Sequence, residues 1–190
     1  MAGTTGRHLI VSTFATLDGA QDDPMAWSLD YWSDEYGQRA REQLFDAGAL
    51  LMGRVTYEAF AATWPLVADD GTSTAGSAAR MNSIPKHVVS STLDTVGWEN
   101  SALVKGDVVE AVRELKRQPG GAILMYGFGG VARTLVKHGL VDEIRTWVHP
   151  VVRGRGESIF TGWPETRLRL AWWSSLPKGV MIMAHRPEES

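Results

Sequence analysis

Hydrophobic residues along the chain fall into short uninterrupted runs, separated by polar or glycine-containing segments. An apolar run of about four to eight residues bounded by turn residues is typical of a strand buried on both faces. The β-branched run HLIVSTFA is the first of these. Strands are predicted at residues 8–15, 49–52, 86–90, 122–126, 142–152, 167–175 and 179–185.

Between these runs, apolar residues recur at the spacing of a helix. From Tyr36 to Ala47 they lie three or four positions apart, as on one face of an amphipathic helix. Asp107 followed by Glu110 is a capping-box pattern, which marks the start of another helix. Helices are predicted at residues 34–47, 55–63, 108–117 and 130–138.

The alternation of strands and helices predicts an α/β fold with a mostly parallel central sheet. The last two strands are connected by Leu-Pro-Lys-Gly at residues 176–179, which predicts an antiparallel C-terminal hairpin. The polar, glycine-bearing segments 17–29 and 68–84 are predicted to be irregular. No repeat or linker interrupts the sequence, so we expect a single domain over residues 1–190, with its core at about 8–185.

Composition narrows the classes of function. The 190 residues carry a formal net charge of −3 and no cysteine, which argues against a nucleic-acid surface, disulfides and thiolate chemistry. The five histidines are scattered without ligand spacing, so no metal site is expected. Because neither a run of about 18 apolar residues nor a signal-peptide core is present, we expect a cytoplasmic enzyme or binding domain.

One glycine cluster, GFGGVA at residues 127–132, follows a predicted strand and begins a predicted helix. It matches the G-x-G-x-x-A pattern of dinucleotide-binding turns. A Rossmann domain also needs an acidic residue at the far end of the next strand, whereas Asp142 and Glu143 lie at its start. We therefore predict no Rossmann domain, but a turn whose backbone approaches phosphate. The alternative is a tight turn that binds nothing.

Two further strand ends carry groups suited to phosphate. Gly53 and Arg54, followed by Thr56, come after one predicted strand, and Ser90 with Ser91 ends another. The carboxyl ends of parallel strands meet at one edge of an open α/β sheet, where ligands bind. Each of these groups also has an interpretation without a ligand: Arg54 as a solvated arginine at a helix start, and the serines as a strand-end turn. Together with the glycine turn, they predict a site for a phosphorylated nucleotide.

Several motifs carry a resemblance to a known family. LLMGRVTYE, the LDG at residues 17–19, HVVSSTL and GFGGVARTLVKHGLVDEIRTWVHPVVRGRGESIF resemble the dihydrofolate reductase-like family. The resemblance is narrower to the branch similar to the C-terminal reductase domain of bifunctional riboflavin biosynthesis proteins. It implies a dihydrofolate reductase-like three-layer fold, NADPH as the hydride donor, and a homodimer.

The resemblance also implies specific contacts to NADPH. Gly53, Arg54 and Thr56 would contact the adenosine and phosphate half, and Ser90 with Ser91 would flank the 2′-phosphate. A cis bond before phenylalanine costs about 3 kcal/mol, so both isomers of the peptide that follows Gly127 stay open. The pyrophosphate would be held by the glycine turn, at Gly127, Phe128, Gly129, Gly130 and Val131.

The substrate side departs from both family patterns. Dihydrofolate reductases hold the pterin with one buried acid, and the matching position here is Trp32. The riboflavin reductase carries an acid directly before its glycine pair, where this chain has Tyr126. Asp30 and Asp34 are the predicted proton donors, with a solvated surface as the alternative. Asp18 is expected to fix a loop.

Two classes of function stay open. The first is NADPH-dependent reduction of a small heterocycle, pterin-like or ribosylamino-pyrimidine-like, by direct hydride transfer. The second is a non-catalytic nucleotide-binding module that retains the cofactor site. Arg153 and Arg155 lie either at a substrate phosphate or in an exposed basic loop. Apolar residues of the C-terminal hairpin, Trp172 and Trp173 among them, favour a homodimer.

Overall fold

The computed structural model describes residues 6–68, 71 and 74–188, and its strands form one eight-stranded sheet. The strands are β1 Leu9–Thr16, β2 Ala47–Gly53, β3 Lys86–Val89, β4 Ser101–Leu103, β5 Ala122–Tyr126, β6 Glu143–His149, β7 Leu168–Ser175 and β8 Met181–Pro187. Across the sheet, their order is β4-β3-β2-β5-β1-β6-β8-β7.

Helices cover both faces of this sheet. The α-helices are α1 Met25–Ser28, α2 Asp34–Asp46, α3 Arg54–Thr63, α4 Ser77–Ser83, α5 Val108–Arg117 and α6 Gly130–Lys137. Side chains of α5 and α6 pack on one face, and side chains of α2, α3 and α4 on the other. The predicted three-layer arrangement is confirmed. Within the described residues, no helix is long and apolar enough to cross a membrane.

The pairing of the strands is parallel from β1 to β6, whereas β8 runs antiparallel to β6, and β7 antiparallel to β8. The predicted mostly parallel sheet and C-terminal hairpin are therefore correct. Because the six parallel strands point the same way, their carboxyl ends lie at one edge of the sheet.

The central strands are buried on both faces. Leu50, Leu51 and Met52 of β2 are fully buried, as are Leu9 and Val11 of β1. A strand covered by helices on both sides has no polar face, which explains the continuous apolar runs in the sequence. Burial of each leucine side chain contributes about 1.5–3 kcal/mol to stability.

One segment predicted to be irregular contains a helix. The prediction for residues 68–84 is wrong at Ser77–Ser83, which form α4. The polar composition of α4 concealed it, since its buried apolar side chains are those of Ala78 and Met81 alone. Arg80 stabilises α4 by donating a hydrogen bond to a carbonyl of β2.

The sequence prediction also omits two short elements. Residues 17–29 are predicted as a loop, but Met25–Ser28 form α1. Strand β4, at Ser101–Leu103, pairs in parallel with β3. Three residues are too few to give an apolar run, so β4 left no recognisable pattern.

A buried lysine ties β3 to its surroundings. Lys86 is 1% exposed, and its Nζ donates to the carbonyls of Asn82, Ile84 and Glu99 at 2.7, 2.9 and 2.8 Å. The ammonium also lies 4.3 Å from the ring centroid of Trp98. Burial lowers the pKa of Lys86 to about 8, and the three carbonyls satisfy its three donors. Lys86 therefore fixes the end of α4 and the segment before β4 against the sheet.

Candidate functional site

The predicted phosphate-binding residues lie together at the carboxyl edge of the sheet. Ser90 follows β3, Gly53 ends β2 and Gly127 follows β5, and these three strands are consecutive in the sheet. Neighbouring strands are about 4.8 Å apart, so the three strand ends span about 10 Å. The next strand, β1, leads at the same edge into the loop that contains Asp18.

Two helix N-termini meet at this edge. Helix α3 follows Gly53 and helix α6 follows Gly129, and neither N-terminus has a side-chain cap within the described chain. The two turns are close, because a Cβ built on Gly53 would lie 3.6 Å from Val131 Cγ2. The hydroxyl of Thr56 donates to the carbonyl of Tyr126 at 3.5 Å. The uncapped N–H groups and the helix dipoles together favour an anion.

The glycine turn leaves open space above its backbone. Gly127 has φ +86°, a left-handed conformation that favours glycine. A Cβ on Gly129 would meet nothing within 4 Å, so the turn offers room for a ligand. The predicted contact of Phe128 is limited to its backbone, since the ring is buried against Phe160 and Trp163. No cis peptide bond occurs in the described residues, which settles the isomer before Phe128 as trans.

The amide of Phe128 is engaged by the loop that follows β1. Its N–H donates to Gln21 Oε1 at 3.4 Å. An anion seated on the glycine turn would draw on the same N–H group. The loop after β1 therefore reaches the predicted pyrophosphate site.

Arg54 begins α3 at this edge and is half exposed. Its Nη1 lies 2.9 Å from Oε2 of Glu58, one helical turn away. An exposed ion pair at this spacing contributes only about 0.3–0.5 kcal/mol. The guanidinium is therefore weakly held where the sequence predicts a phosphate contact.

The two serines after β3 differ in their environments. Ser90 Oγ accepts hydrogen bonds from the N–H groups of Thr92 and Leu93 at 3.1 and 3.0 Å, as in a strand-end turn. Its hydroxyl also lies 3.4 Å from that of Thr92, and when Thr92 is the donor in this contact the Ser90 hydrogen is available to an anion. Ser91 is exposed. Both serines lie at the same edge as Gly53, which ends the neighbouring strand β2.

Asp30 and Asp34 face solvent on the other side of the site. Asp30 lies in a 3-10 turn, where its carbonyl accepts a hydrogen bond from Lys178, and Asp34 lies in the first turn of α2. Both residues are exposed. Exposed carboxylates of this kind fit the alternative of a solvated surface better than the prediction of a proton donor held against a substrate.

Asp18 fixes a loop, as the sequence predicts. Its carboxylate accepts a hydrogen bond from Thr16 Oγ1 at 2.5 Å, and others from the N–H groups of Arg153 and Gly154 at 3.2 and 2.8 Å. The Thr16 hydroxyl and these backbone donors lower the pKa of Asp18. The loop after β1 is thereby tied to the segment after β6.

The guanidinium of Arg153 also connects the loop after β1 to the segment after β6. Its Nη1 donates to the carbonyl of Asp22 at 2.8 Å. Arg153 is partly buried and Arg155 is exposed, and Arg155 agrees with the basic-loop alternative.

Sequence reasoning missed an arginine near the glycine turn. Arg133 lies one turn into α6, and its Nη2 is 3.8 Å from a Cβ built on Gly130. Its Nη1 donates to the carbonyl of Thr161 at 3.0 Å and lies 3.5 Å from Glu157 Oε1. The motif GGVAR could have indicated this contact. An arginine four residues after the N-cap glycine lies on the same face of the helix, one turn away, so its side chain can reach the helix N-terminus.

Sequence reasoning also missed a buried tyrosine–histidine pair. The hydroxyl of Tyr36, on α2, lies 3.3 Å from Nε2 of His149, the last residue of β6. Both side chains are buried. In the sequence, Tyr36 belongs to the apolar stripe of its helix, and a lone histidine at a strand end has no ligand spacing. Their proximity depends on tertiary packing, which neither pattern reports.

Comparison with known proteins identifies relatives of this chain in sequence and in structure. YyaP of Bacillus subtilis (strain 168), described as uncharacterized, is 37% identical over 81 residues, which make up 42% of this chain and 42% of that protein. The match thus spans less than half the length of this curated relative.

Solved structures resemble the chain over nearly its whole length. A putative riboflavin biosynthesis protein from Shewanella sp. PV-4 has a TM-score of 0.74 at 20% identity, with coverage of 96% of this chain and 99% of that chain. A pyrimidine reductase-like protein from Corynebacterium diphtheriae has a TM-score of 0.64 at 16% identity, with coverage of 97% and 93%.

A third solved structure is named for two activities. It is a diaminohydroxyphosphoribosylaminopyrimidine deaminase/5-amino-6-(5-phosphoribosylamino)uracil reductase from Thermotoga maritima. Its TM-score is 0.65 at 15% identity, and the match covers 96% of this chain and 57% of that one. These likenesses confirm the dihydrofolate reductase-like fold. Residues 7–182 match the RibD C-terminal domain, so the chain belongs to the RibD C-terminal domain family.

Proposed function

We propose that the protein is an NADPH-dependent reductase that transfers a hydride to a small nitrogen heterocycle, pterin-like or ribosylamino-pyrimidine-like. The proposal rests on the two uncapped helix N-termini beside the open glycine turn. Donors arranged in this way suit the phosphates of a dinucleotide. Membership in a reductase family favours hydride transfer over other uses of a nucleotide.

The residues present fit the phosphates of NADPH. The open space over Gly129 and the N–H groups at the start of α6 would hold the pyrophosphate. Arg54, with Ser90 and Ser91 on the neighbouring strand end, would hold the 2′-phosphate. The bound cofactor supplies a hydride, and the protein binds both reactants, orients them and excludes water.

One observation favours the non-catalytic alternative. Tyr126 stands where the riboflavin reductase carries an acid, and burial raises its pKa to about 12. A tyrosine with this pKa keeps its proton at neutral pH, so it does not replace a carboxylate. A nucleotide-binding module that has lost the chemistry is therefore the second candidate.

Cofactor titration followed by turnover separates these candidates. NADPH and NADH are titrated by fluorescence, and NADPH oxidation is then followed with 5-amino-6-(5-phosphoribosylamino)uracil and with dihydrofolate. Oxidation by either compound is the result expected of a reductase. Tight NADPH binding with no oxidation by either compound supports the module. Failure to bind NADPH contradicts both candidates.

We also propose that the protein forms a homodimer in the cytoplasm. Strand β7 lies at the edge of the sheet, and Leu170 and Trp173 on it are 51% and 61% exposed. Apolar side chains with this exposure on a sheet edge favour association with a second copy.

A further inference from the structure

The ring of His149 lies inside a cluster of aromatic side chains at the carboxyl edge. Its centroid is 5.4, 5.0, 5.6 and 5.8 Å from those of Phe14, Trp27, Tyr31 and Tyr36. Strand β1 separates β6 from β5, so His149 lies about two strand spacings, or about 10 Å, from the glycine turn. The cluster therefore borders the side of the site that is left for the substrate.

Hydrogen bonds determine the tautomer of this histidine. Nδ1 lies 2.9 Å from the carbonyl oxygen of Trp147 and 3.4 Å from that of Ala15. A carbonyl oxygen only accepts, so Nδ1 must carry a hydrogen. In the neutral ring, Nε2 is then an acceptor, and the hydroxyl of Tyr36 donates to it at 3.3 Å.

The same geometry also accommodates the protonated ring. When Nε2 gains a hydrogen, it donates to the oxygen of Tyr36, whose hydroxyl hydrogen rotates away. Each ring nitrogen therefore has a hydrogen-bond partner in both protonation states. Neither state carries the free-energy penalty of a buried polar atom without a partner. Burial raises the pKa of Tyr36, so this residue stays a neutral hydroxyl that passes a proton on.

We propose that Tyr36 and His149 form a proton-relay pair that supplies the proton for the proposed reduction, in place of a carboxylic acid at the positions that Trp32 and Tyr126 occupy. The inference rests on the proposed function. The cofactor, when bound, would supply a hydride that forms a C–H bond at the carbon of a C=N group. The π electrons of C=N become an N–H bond with the proton of the Tyr36 hydroxyl. Tyr36 takes the proton of Nε2 in return, so the imidazolium becomes neutral imidazole and water later restores its proton.

The pair is reached through a short covering segment. Trp27 and Tyr31 lie over His149, and their polar atoms are held by the carbonyls of Asp22 at 2.9 Å and Pro150 at 3.3 Å. Displacement of this segment exposes the Tyr36 hydroxyl to a substrate. Such a movement breaks one hydrogen bond from each ring and exposes the Trp27 side chain, which is 7% exposed in the closed position.

Charged groups around the pair are engaged elsewhere or exposed. Among the described residues in contact with the imidazole, the titratable ones are Tyr31 and Tyr36. Burial lowers the pKa of His149 below its ordinary value of 6.5. The rate of reduction should therefore rise as the pH falls toward that pKa. The charged groups on the elements packed around the ring are Asp34, Glu35, Arg39, Arg41, Glu42 and Asp46 on α2, Glu143 and Arg145 on β6, and Asp18, Asp30 and Lys178 in the adjoining turns.

Removal of one hydroxyl tests the relay, and the neighbouring tyrosine provides the matched control. NADPH oxidation with 5-amino-6-(5-phosphoribosylamino)uracil is measured from about pH 5 to about pH 8. Tyr36→Phe should lower kcat about a hundredfold, leave KM nearly unchanged and abolish the rise toward low pH. Tyr31→Phe removes a hydroxyl from the same cluster without touching Nε2. Because this change frees one bond of the covering segment, kcat should not fall and the rise toward low pH should persist. A parent-like pH profile in Tyr36→Phe, or equal losses in the two variants, overturns the proposal.

A second measurement needs no substrate. ¹⁵N spectra of labelled histidine should show His149 with its hydrogen on Nδ1 at neutral pH, and a reversible gain of one proton on acidification. Tyr36→Phe should lower the midpoint of that titration, whereas Tyr31→Phe should not. The opposite tautomer, or an unchanged midpoint in Tyr36→Phe, overturns the relay. If neither heterocycle is oxidised but the spectra behave as expected, the proposed function fails while the pair stands.

Discussion

Arg54 pairs with a carboxylate that a phosphate can replace. Its contact with Glu58 is exposed and contributes about 0.3–0.5 kcal/mol, whereas a hydrogen bond to a charged group contributes about 1.5–3 kcal/mol. Arg54→Ala should therefore weaken NADPH binding by at least about tenfold and leave NADH binding nearly unaffected. Paired titration of both cofactors against parent and variant measures this difference.

Glu58→Gln is the matched control for Arg54. It releases the guanidinium without removing it, so NADPH should bind at least as tightly as to the parent. Raised salt should narrow the preference for NADPH, because the contact is partly exposed. Equal losses of NADPH and NADH affinity in Arg54→Ala would instead assign Arg54 to the pyrophosphate or to the fold.

The loop after β1 depends on the ionised form of Asp18. Its pKa is lowered in the fold, so its contribution is present above the ordinary value of 3.8 and is lost as the pH falls through the folded pKa. Asp18→Asn should increase hydrogen exchange at the amides of Arg153 and Gly154 at neutral pH. Asp94→Asn, at an exposed site after β3, should leave these amides protected, and equal exchange in the two variants would contradict the assignment.

The turn between β5 and α6 should tolerate bulk structurally but not functionally. Gly129 has φ −78°, which any residue adopts, and a Cβ there meets no atom within 4 Å. Gly129→Val should therefore fold normally while its branched side chain occupies the space of the pyrophosphate. NADPH titration should show a collapse of binding with little change in Tm.

Gly97→Val is a suitable control for this turn. A Cβ on Gly97 also meets nothing within 4 Å, and the residue lies away from the glycine turn, between β3 and β4. This variant should bind NADPH like the parent. Undiminished NADPH binding in Gly129→Val would show that the pyrophosphate lies elsewhere.

At the scale of the whole molecule, the exposed edge of the hairpin should decide the oligomeric state. Trp172 is already stacked, with the guanidinium of Arg145 at 5.4 Å, whereas Trp173 is 61% exposed. Light scattering of the parent should give twice the chain mass of 20.8 kDa. The double variant Leu170→Asp with Trp173→Asp should be monomeric. Leu66→Asp, at a residue 84% exposed after α3, should stay dimeric, and a monomeric parent would contradict the proposal.

The parallel core and the position of Gly53, Ser90 and Gly127 at its carboxyl edge were predictable because short-range patterns determine them. A run such as Leu50–Met52 reports burial on both faces, and the glycine turn at Gly127 reports its backbone geometry. Helix α4 and strand β4 were not predictable, since they owe their stability to contacts such as those of Lys86. The pairing of Tyr36 with His149 joins residues more than a hundred positions apart, which no local pattern encodes.

The contact between Gln21 and the amide of Phe128 makes ligand binding an exchange rather than a simple addition. The N–H group of Phe128 already donates a weak hydrogen bond to Gln21, and a phosphate that accepts from this N–H must displace the Gln21 side chain. The amide therefore contributes only the difference between two hydrogen bonds to affinity. The Gln21 contact and occupancy of the glycine turn therefore exclude each other, so a change that removes this contact should strengthen ligand binding.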